Sequence, residues 1–261
     1  MIPASDAATY LYCLVRAVGR PSLAGAPRGL PGLGPLRVLP AGEGLWLVAA
    51  AAPLAQYDGA RIERHLRDLD WVALRGAAHA RVVEYFARRL ATLPMRLFTL
   101  FSGEERAVSH VRGAEARLRR VLERVDGCRE WGVRVRLDPA LARRRGAPSA
   151  RPTAARRSGT QFLLAKKAER DLARALVREG RAAVEAAFET LAELADATRR
   201  RPAAELEGSA VVLDAALLVS ARRLARFKRT VRQRAAELAA RGYRLTLTGP
   251  WPAYSFVGDG R

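Results

Sequence analysis

Apolar and polar positions alternate with period two in some stretches of the chain and recur at steps of three and four in others. In ATYLYCLVRA (8–17), Tyr10, Tyr12, Leu14 and Arg16 face one way and Leu11, Cys13 and Val15 the other, which predicts a strand. The Gly/Pro-rich run VGRPSLAGAPRGLPGLGP that follows cannot be helical. LRVLP (36–40) and GLWLVAAAA (44–52), separated by AGEG, read as a β-hairpin. Residues 60–90 carry a helical pattern with a break near Asp70, and Val82, Val83, Phe86 and Leu90 lie at helix spacing in its second half. TLPMRLFTLF (92–101) returns to strand alternation. Ser102 or Gly103 then caps a helix with acids in its first turn and a stripe of Val108, Val111, Leu118, Leu122 and Val125, which Gly127 ends.

In the second half, CREWGVRVRL (128–137) is a strand. Residues 138–159 are rich in Pro, Ser, Ala and Arg, offer little to bury, and read as a mobile loop or linker. The longest helical pattern spans 160–198, with a narrow stripe of Leu172, Leu176, Val184, Phe188, Leu191 and Ala195. After the Arg-Pro stop at 201–202, SAVVLDAALLVS (209–220) is a strand region that can also be read as a hairpin. A helix with Leu224, Phe227, Val231, Ala235 and Leu238 follows, ended by Gly242, and YRLTLTG (243–249) is the last strand. The expected fold class is therefore α+β with two domains. Residues 1–127 form an N-terminal mixed α+β unit. Residues 128–261 form a modified ferredoxin-like sandwich with two helices on one sheet face and an aromatic tail, 249–261.

Composition changes this picture little. With 261 residues and 49% hydrophobic content, the chain can fill one large core or two small ones. It has no apolar run of the roughly 18 residues a membrane span needs, and its start lacks the pattern of a signal peptide, so a cytoplasmic protein is expected. The formal charge of +20 first suggests nucleic acid. However, only Lys166, Lys167 and Lys228 are lysines, and the arginines are spread along the chain among acids, a bias that resembles GC-rich codon usage. The basic runs 143–145 and 199–201 have no interleaved aromatics to stack bases. A basic nucleic-acid-binding module stays as the alternative reading.

The candidate chemistry is sparse. Cys13 and Cys128 do not form a CxxC, and with only His65, His79 and His110 a zinc site would need scattered ligands. GLPGLG (29–34) has the spacing of a dinucleotide fingerprint reversed, and a short strand follows it. His79 has no carboxylate at i±3 or i±4 and reads as a structural histidine. Glu104 and Glu105 suit a helix start better than an acid/base pair. Asp138 suits a turn, and Asp214 interrupts an apolar strand and needs arginine partners if buried. Neither a catalytic constellation nor a cofactor or metal site is expected, so the chain is read as a non-enzyme.

The stretch LTGPWPAYSFV (247–257) gathers Trp251, Tyr254 and Phe256 in a chain that is only 7% aromatic. It resembles the C-terminal signature of the gas vesicle protein F/L family. YLYCLVRA, AAHARVVEYF with LPMRLFTLF, EWGVRV, SGTQFLLAKK and LDAALLV resemble further family stretches in the same order. His79, Pro94, Arg96 and Trp131 fall in family-like positions. The departures are Leu97 and Phe98 where the family tends to carry Phe and Gly, Asp214 in place of Asn, and Ala253 in place of a further proline. The resemblance implies a gas vesicle assembly factor or minor vesicle component in the cytoplasm, associated with the vesicles. It would bind the small hydrophobic shell protein and other accessory vesicle proteins.

Physically, Gly249 can adopt a conformation other residues avoid, and Pro250 and Pro252 hold the chain extended. Three rings of about 150–250 Å² each, at about 25 cal/mol per Å², are worth several kcal/mol if buried. Either the tail seals its own core or part of it docks on a partner. The expectation adopted here is that Trp251 and Phe256 anchor the tail internally and position a neighbouring surface.

Overall fold

The computed structural model describes residues 7–138, 178–202 and 210–257. The chain divides into two compact units, one of Met1–Glu130 with Pro250–Arg261 and the other of Trp131–Gly249.

In the first unit the central strand is β1 (Ala7–Arg16). It pairs antiparallel with β3 (Leu45–Pro53) on one side and with β4 (Ala91–Pro94) and β5 (Leu100–Phe101) on the other, and β2 (Arg37–Gly42) closes the edge. The β2–β3 hairpin turns at Gly44, whose φ of 64° suits glycine. Three helices follow, α1 (Leu54–Tyr57), α2 (Gly59–His65) and α3 (Leu69–Ala87). The expected break near Asp70 lies just before α3, where the Asp68 carboxylate caps the helix by accepting from the Trp71 amide at 3.0 Å. Ala78, Val82, Val83 and Phe86 of α3 pack in one core with Tyr10, Tyr12, Val48 and Ala50 of the sheet. Helix α4 (Glu104–Gly113) lies against β2, and α5 (Glu115–Val125) against β4.

Three sequence expectations change here. The alternation along β1 does not persist, because the register slips between Leu11 and Cys13. This bulge brings Cys13 and Val15 into the same core as Tyr10 and Tyr12. The strand expected over 92–101 is two strands separated by a turn, in which Thr99 donates from both its amide (3.2 Å) and its hydroxyl (2.8 Å) to the Arg96 carbonyl. The single helix after residue 103 is two helices that meet at Ala114 (φ −113°), just after the helix-weakening Gly113.

In the second unit, β6 (Cys128–Leu137), a helix over 178–192 (α6), β7 (Ala197–Arg200), β8 (Val211–Ser220), α7 (Ala221–Ala239) and β9 (Tyr243–Trp251) follow in order. The antiparallel sheet runs β7-β8-β6-β9. The end of β6 lies beside the starts of β8 and β9, with Leu137 N–H to Ala210 O at 2.8 Å and Asp138 N–H to Gly242 O at 2.9 Å. Both helices cover one sheet face. Val184, Ala187 and Leu191 of α6 and Phe227, Val231 and Leu238 of α7 share a core with Trp131, Val133, Val135, Leu213 and Leu217.

The helix expected through Thr198 stops at residue 192. Beyond it the Asp196 amide donates to Leu218 O at 2.7 Å, and Ala197–Arg200 pair with β8, so strand pairing overrides helical propensity. Arg200 is held by Glu185 at 2.9 Å and lies over the Phe188 ring, which ties β7 to α6. Leu172, Leu176 and the proposed linker beyond Asp138 lie outside the described residues. Asp138 itself accepts from Arg244 Nε at 2.8 Å. Asp214 receives the expected arginines, Arg134 at 2.7 Å and Arg201 at 3.7 Å.

Candidate functional site: a docked aromatic tail

Strand β9 runs on through Trp251, two residues past the expected end, and Gly249 has a φ of 114°, in the region that favours glycine. From Pro250 the tail belongs to the first unit. Pro252 and Ala253 are buried, and Tyr254–Phe256 form one 3-10 turn with Phe256 only 2% exposed. Two groups hold this turn. The Glu130 carboxylate, 8% exposed, accepts from both the amide and the hydroxyl of Ser255, each at 2.7 Å. The Arg124 guanidinium donates to the Phe256 carbonyl at 2.7 Å. Bonds to a charged group are stronger than neutral ones, and here three of them, two to Glu130 and one from Arg124, fix one turn.

Trp251 departs from expectation. It is 50% exposed, so Phe256 and the buried Pro252 anchor the tail and Trp251 does not.

Tyr254 enters the buried cluster around His79, with ring centroids 6.4 Å apart. His79 sits on α3, 3% exposed, stacked on Tyr12 at 5.5 Å. Its Nε2 lies 3.0 Å from the Met95 carbonyl, which can only accept, so Nε2 carries the proton. Nδ1 is then the acceptor for the Tyr10 hydroxyl at 2.7 Å. The Tyr10 oxygen in turn accepts from the Phe98 amide at 3.4 Å. Burial pushes the His79 pKa down to about 4, against the opposing bond to Met95, so the ring is neutral and fully bonded. Burial likewise raises the Tyr10 and Tyr254 phenols and brings Tyr12 to about 12. Both ring nitrogens of His79 are thus bonded within the first unit, and Tyr10 is a partner the spacing did not foresee.

Phe98, at a position where the resemblance expects glycine, has a φ of 64° and is the one positive-φ residue other than glycine among the described residues. An L side chain there costs on the order of 1–2 kcal/mol. Its ring stacks on Trp71 at 5.3 Å, Trp71 stacks on His65 at 4.9 Å, and the Arg75 guanidinium lies 3.9 Å from the Trp71 ring centroid. Pro94 is buried in β4 opposite Cys13, and Arg96 is exposed and lends its carbonyl to the turn. Trp131 lies in the second unit's core, with Lys228 Nζ 4.8 Å from its ring centroid. GLPGLG serves packing, since the Leu30 amide donates to Tyr12 Oη at 2.8 Å and the Tyr57 hydroxyl donates to Pro31 O at 2.5 Å.

Among the described residues, no group of three or more His, Cys, Asp or Glu side chains is placed to hold a metal ion. No described helix is long and apolar enough to cross a membrane. The features together define a mixed α+β protein with two antiparallel sheets and a closing segment clamped by buried polar bonds. The chain belongs to the gas vesicle synthesis protein GvpL/GvpF family, whose family model matches residues 8–258. It is 34% identical to gas vesicle protein L of Streptomyces sp. (strain CB03234), over 97% of this chain and 94% of that one. Its fold is similar to that of the crystal structure of GvpF from Anabaena sp. PCC7120, with a TM-score of 0.68, 17% identity and 98% of each chain covered. It is also similar to GvpF from Microcystis aeruginosa, with a TM-score of 0.64, 14% identity, and 96% of this chain and 98% of that one covered.

Proposed function

We propose that this protein is a non-enzymatic gas vesicle assembly factor or minor vesicle component, acting in the cytoplasm by binding the shell protein and other accessory vesicle proteins. The observation that carries the reading is the tail. Phe256, Ser255 and Tyr254 are built into the first unit, while Trp251 beside them is left half-exposed between two prolines. A rigidly mounted aromatic loses little freedom on docking, which suits an adhesive surface. The non-enzymatic part is supported by the use of the buried polar side chains. His79 joins Tyr10 to Met95, and Glu130 holds Ser255.

The domain reading, 1–127 and 128–261 with the second ferredoxin-like, is part of this proposal, save that the docked tail from Pro250 clusters with the first unit. It is supported by the order strand, helix, strand, strand, helix, strand and by the sheet order β7-β8-β6-β9. The test is a clean deletion complemented by wild type or by Trp251→Ala, scored for vesicles and for co-purification of the shell protein. Loss of vesicles on deletion is expected, together with a folded Trp251→Ala protein that captures less shell protein. Intact vesicles in the deletion strain would refute the role.

A further inference from the structure

Near the junction of the second unit's two helices their outward faces carry opposite charge, whereas the start of the described α6 presents exposed Arg178 and Arg181. On α7, Arg222, Arg226, Arg229 and Arg232 are all exposed, spaced by four, three and three residues, so they follow the side of the helix opposite Phe227, Val231 and Leu238. The one acid on this helix, Glu237, is taken by Arg234 at 2.6 Å and Gln233 at 3.1 Å. On α6 and the turn that ends it, Glu189 and Glu193 are exposed, in line with Glu185, which Arg200 holds. Among the described residues, Arg226, Arg229, Arg232, Glu189 and Glu193 take part in no ion pair, and Arg222 has only a contact to Asp196 at 3.8 Å.

These rows lie level with one another. The end of α6 meets the start of α7, where Asp196 Oδ2 accepts from the Ser220 amide at 2.8 Å and Arg223 donates to Ala195 O at 3.1 Å. Both helices cross the same sheet face from that junction, so they are antiparallel. At about 1.5 Å per residue, Glu193 is level with Arg222, and Glu189 with Arg226 and Arg229. Both rows point outward, and among the described residues no ion pair joins one row to the other.

We infer that this helix layer is a self-complementary surface for a second copy of the chain. A two-fold axis parallel to the helices and running between them sets each α6 over the other copy's α7. Such a rotation preserves level along the axis, so Glu189 and Glu193 of each copy meet Arg222, Arg226 and Arg229 of the other. Exposed Ala182, Ala186, Ala225 and Ala236 between the charges leave room for close approach. Two helices about 28 Å and 22 Å long, side by side, present a footprint of about 500 Å² per copy. A stable interface needs about 800 Å² per partner, so the pairing is weak, concentration-dependent and sensitive to salt.

Sedimentation of the full-length protein over a range of concentrations tests this. Wild type forms dimers at low ionic strength, and about 1 M salt weakens them about tenfold or more. Arg226→Glu with Arg229→Glu, and separately Glu189→Arg with Glu193→Arg, abolish self-association by setting like charges against each other. Mixing the two variants restores a dimer, because both halves of the mixed interface are then complementary. Circular dichroism confirms that the variants fold, and Arg226→Gln with Arg229→Gln gives a milder version of the same loss. A wild type that stays monomeric at all salts, a dimer indifferent to the swaps, or variants that fail to rescue each other would overturn the inference. So would a monomer that uses these arginines to bind random duplex DNA.

Discussion

Replacing Phe256 by Ala tests the tail anchor most directly. The ring is 2% exposed, and a Phe→Ala change at a fully buried site, cavity included, typically costs about 3–5 kcal/mol. In a unit of this size 1 kcal/mol moves the melting temperature by about 2–4 °C, so a drop of about 6–20 °C is expected. Trp251→Ala is the matched control. Its ring is 50% exposed, so about 100 Å² of buried surface at about 25 cal/mol per Å² limits the loss to roughly 2.5 kcal/mol, with no cavity left behind. Differential scanning calorimetry on the full chain, with near-ultraviolet circular dichroism as a second probe, reads both variants. The shift belongs to the transition of the first unit, or to the single transition if both units melt together. A Phe256→Ala melt within about 1 °C of wild type, or a larger shift from Trp251→Ala, would refute the assignment of the anchor.

Further outcomes follow from the same unit. Glu130→Ala removes both acceptors of Ser255 and costs about 3 kcal/mol in urea unfolding, against about 1–2 kcal/mol for Ser255→Ala. The native His79 pKa is lowered to about 4 from 6.5, so below pH 6.5 the unfolded chain takes up a proton that the folded one refuses. The stabilisation is complete above pH 6.5 and is lost as pH falls toward 4. Wild type therefore loses about 2 kcal/mol more than His79→Gln between pH 7 and pH 5, measured by urea titration at each pH. At Phe98, glycine relieves about 1–2 kcal/mol of backbone strain but forfeits the Trp71 stack and adds unfolded-state entropy, so Phe98→Gly stays within about 1 kcal/mol of wild type. Phe98→Val keeps the strain without the stack and unfolds about 2 kcal/mol more easily than Phe98→Gly.

Elements whose signal is local were legible in the sequence. The β2–β3 hairpin, the α3 stripe through Val82, Val83 and Phe86, and α7 with its Gly242 stop all follow from periodicity and punctuation. The misreadings share a cause, because each is decided by a distant partner. The β1 bulge depends on register with β3, and β7 exists because β8 offers an unpaired edge to residues that also suit a helix. Gly113, by contrast, was a visible warning that one helix would become two. At the candidate site, the aromatic content and the glycine turn of the tail stood out, and His79 had the isolation expected of a structural ring. Glu130 gave no signal, because its partner Ser255 lies 125 residues away. Nothing in the spacing of rings separates buried Phe256 from exposed Trp251, which only the end of a strand and the start of a turn distinguish.

The assignment of Pro250–Arg261 to the same unit as Met1–Glu130 has a consequence for synthesis. The whole of Trp131–Gly249 is translated between the body of the first unit and the segment that completes it. Until Ser255 and Phe256 leave the ribosome, the place they occupy is unfilled and the Glu130 carboxylate lacks the two hydrogen bonds it accepts from Ser255. The nascent first unit therefore waits, unfinished, while more than a hundred later residues emerge, and a chain truncated anywhere before residue 255 cannot close it.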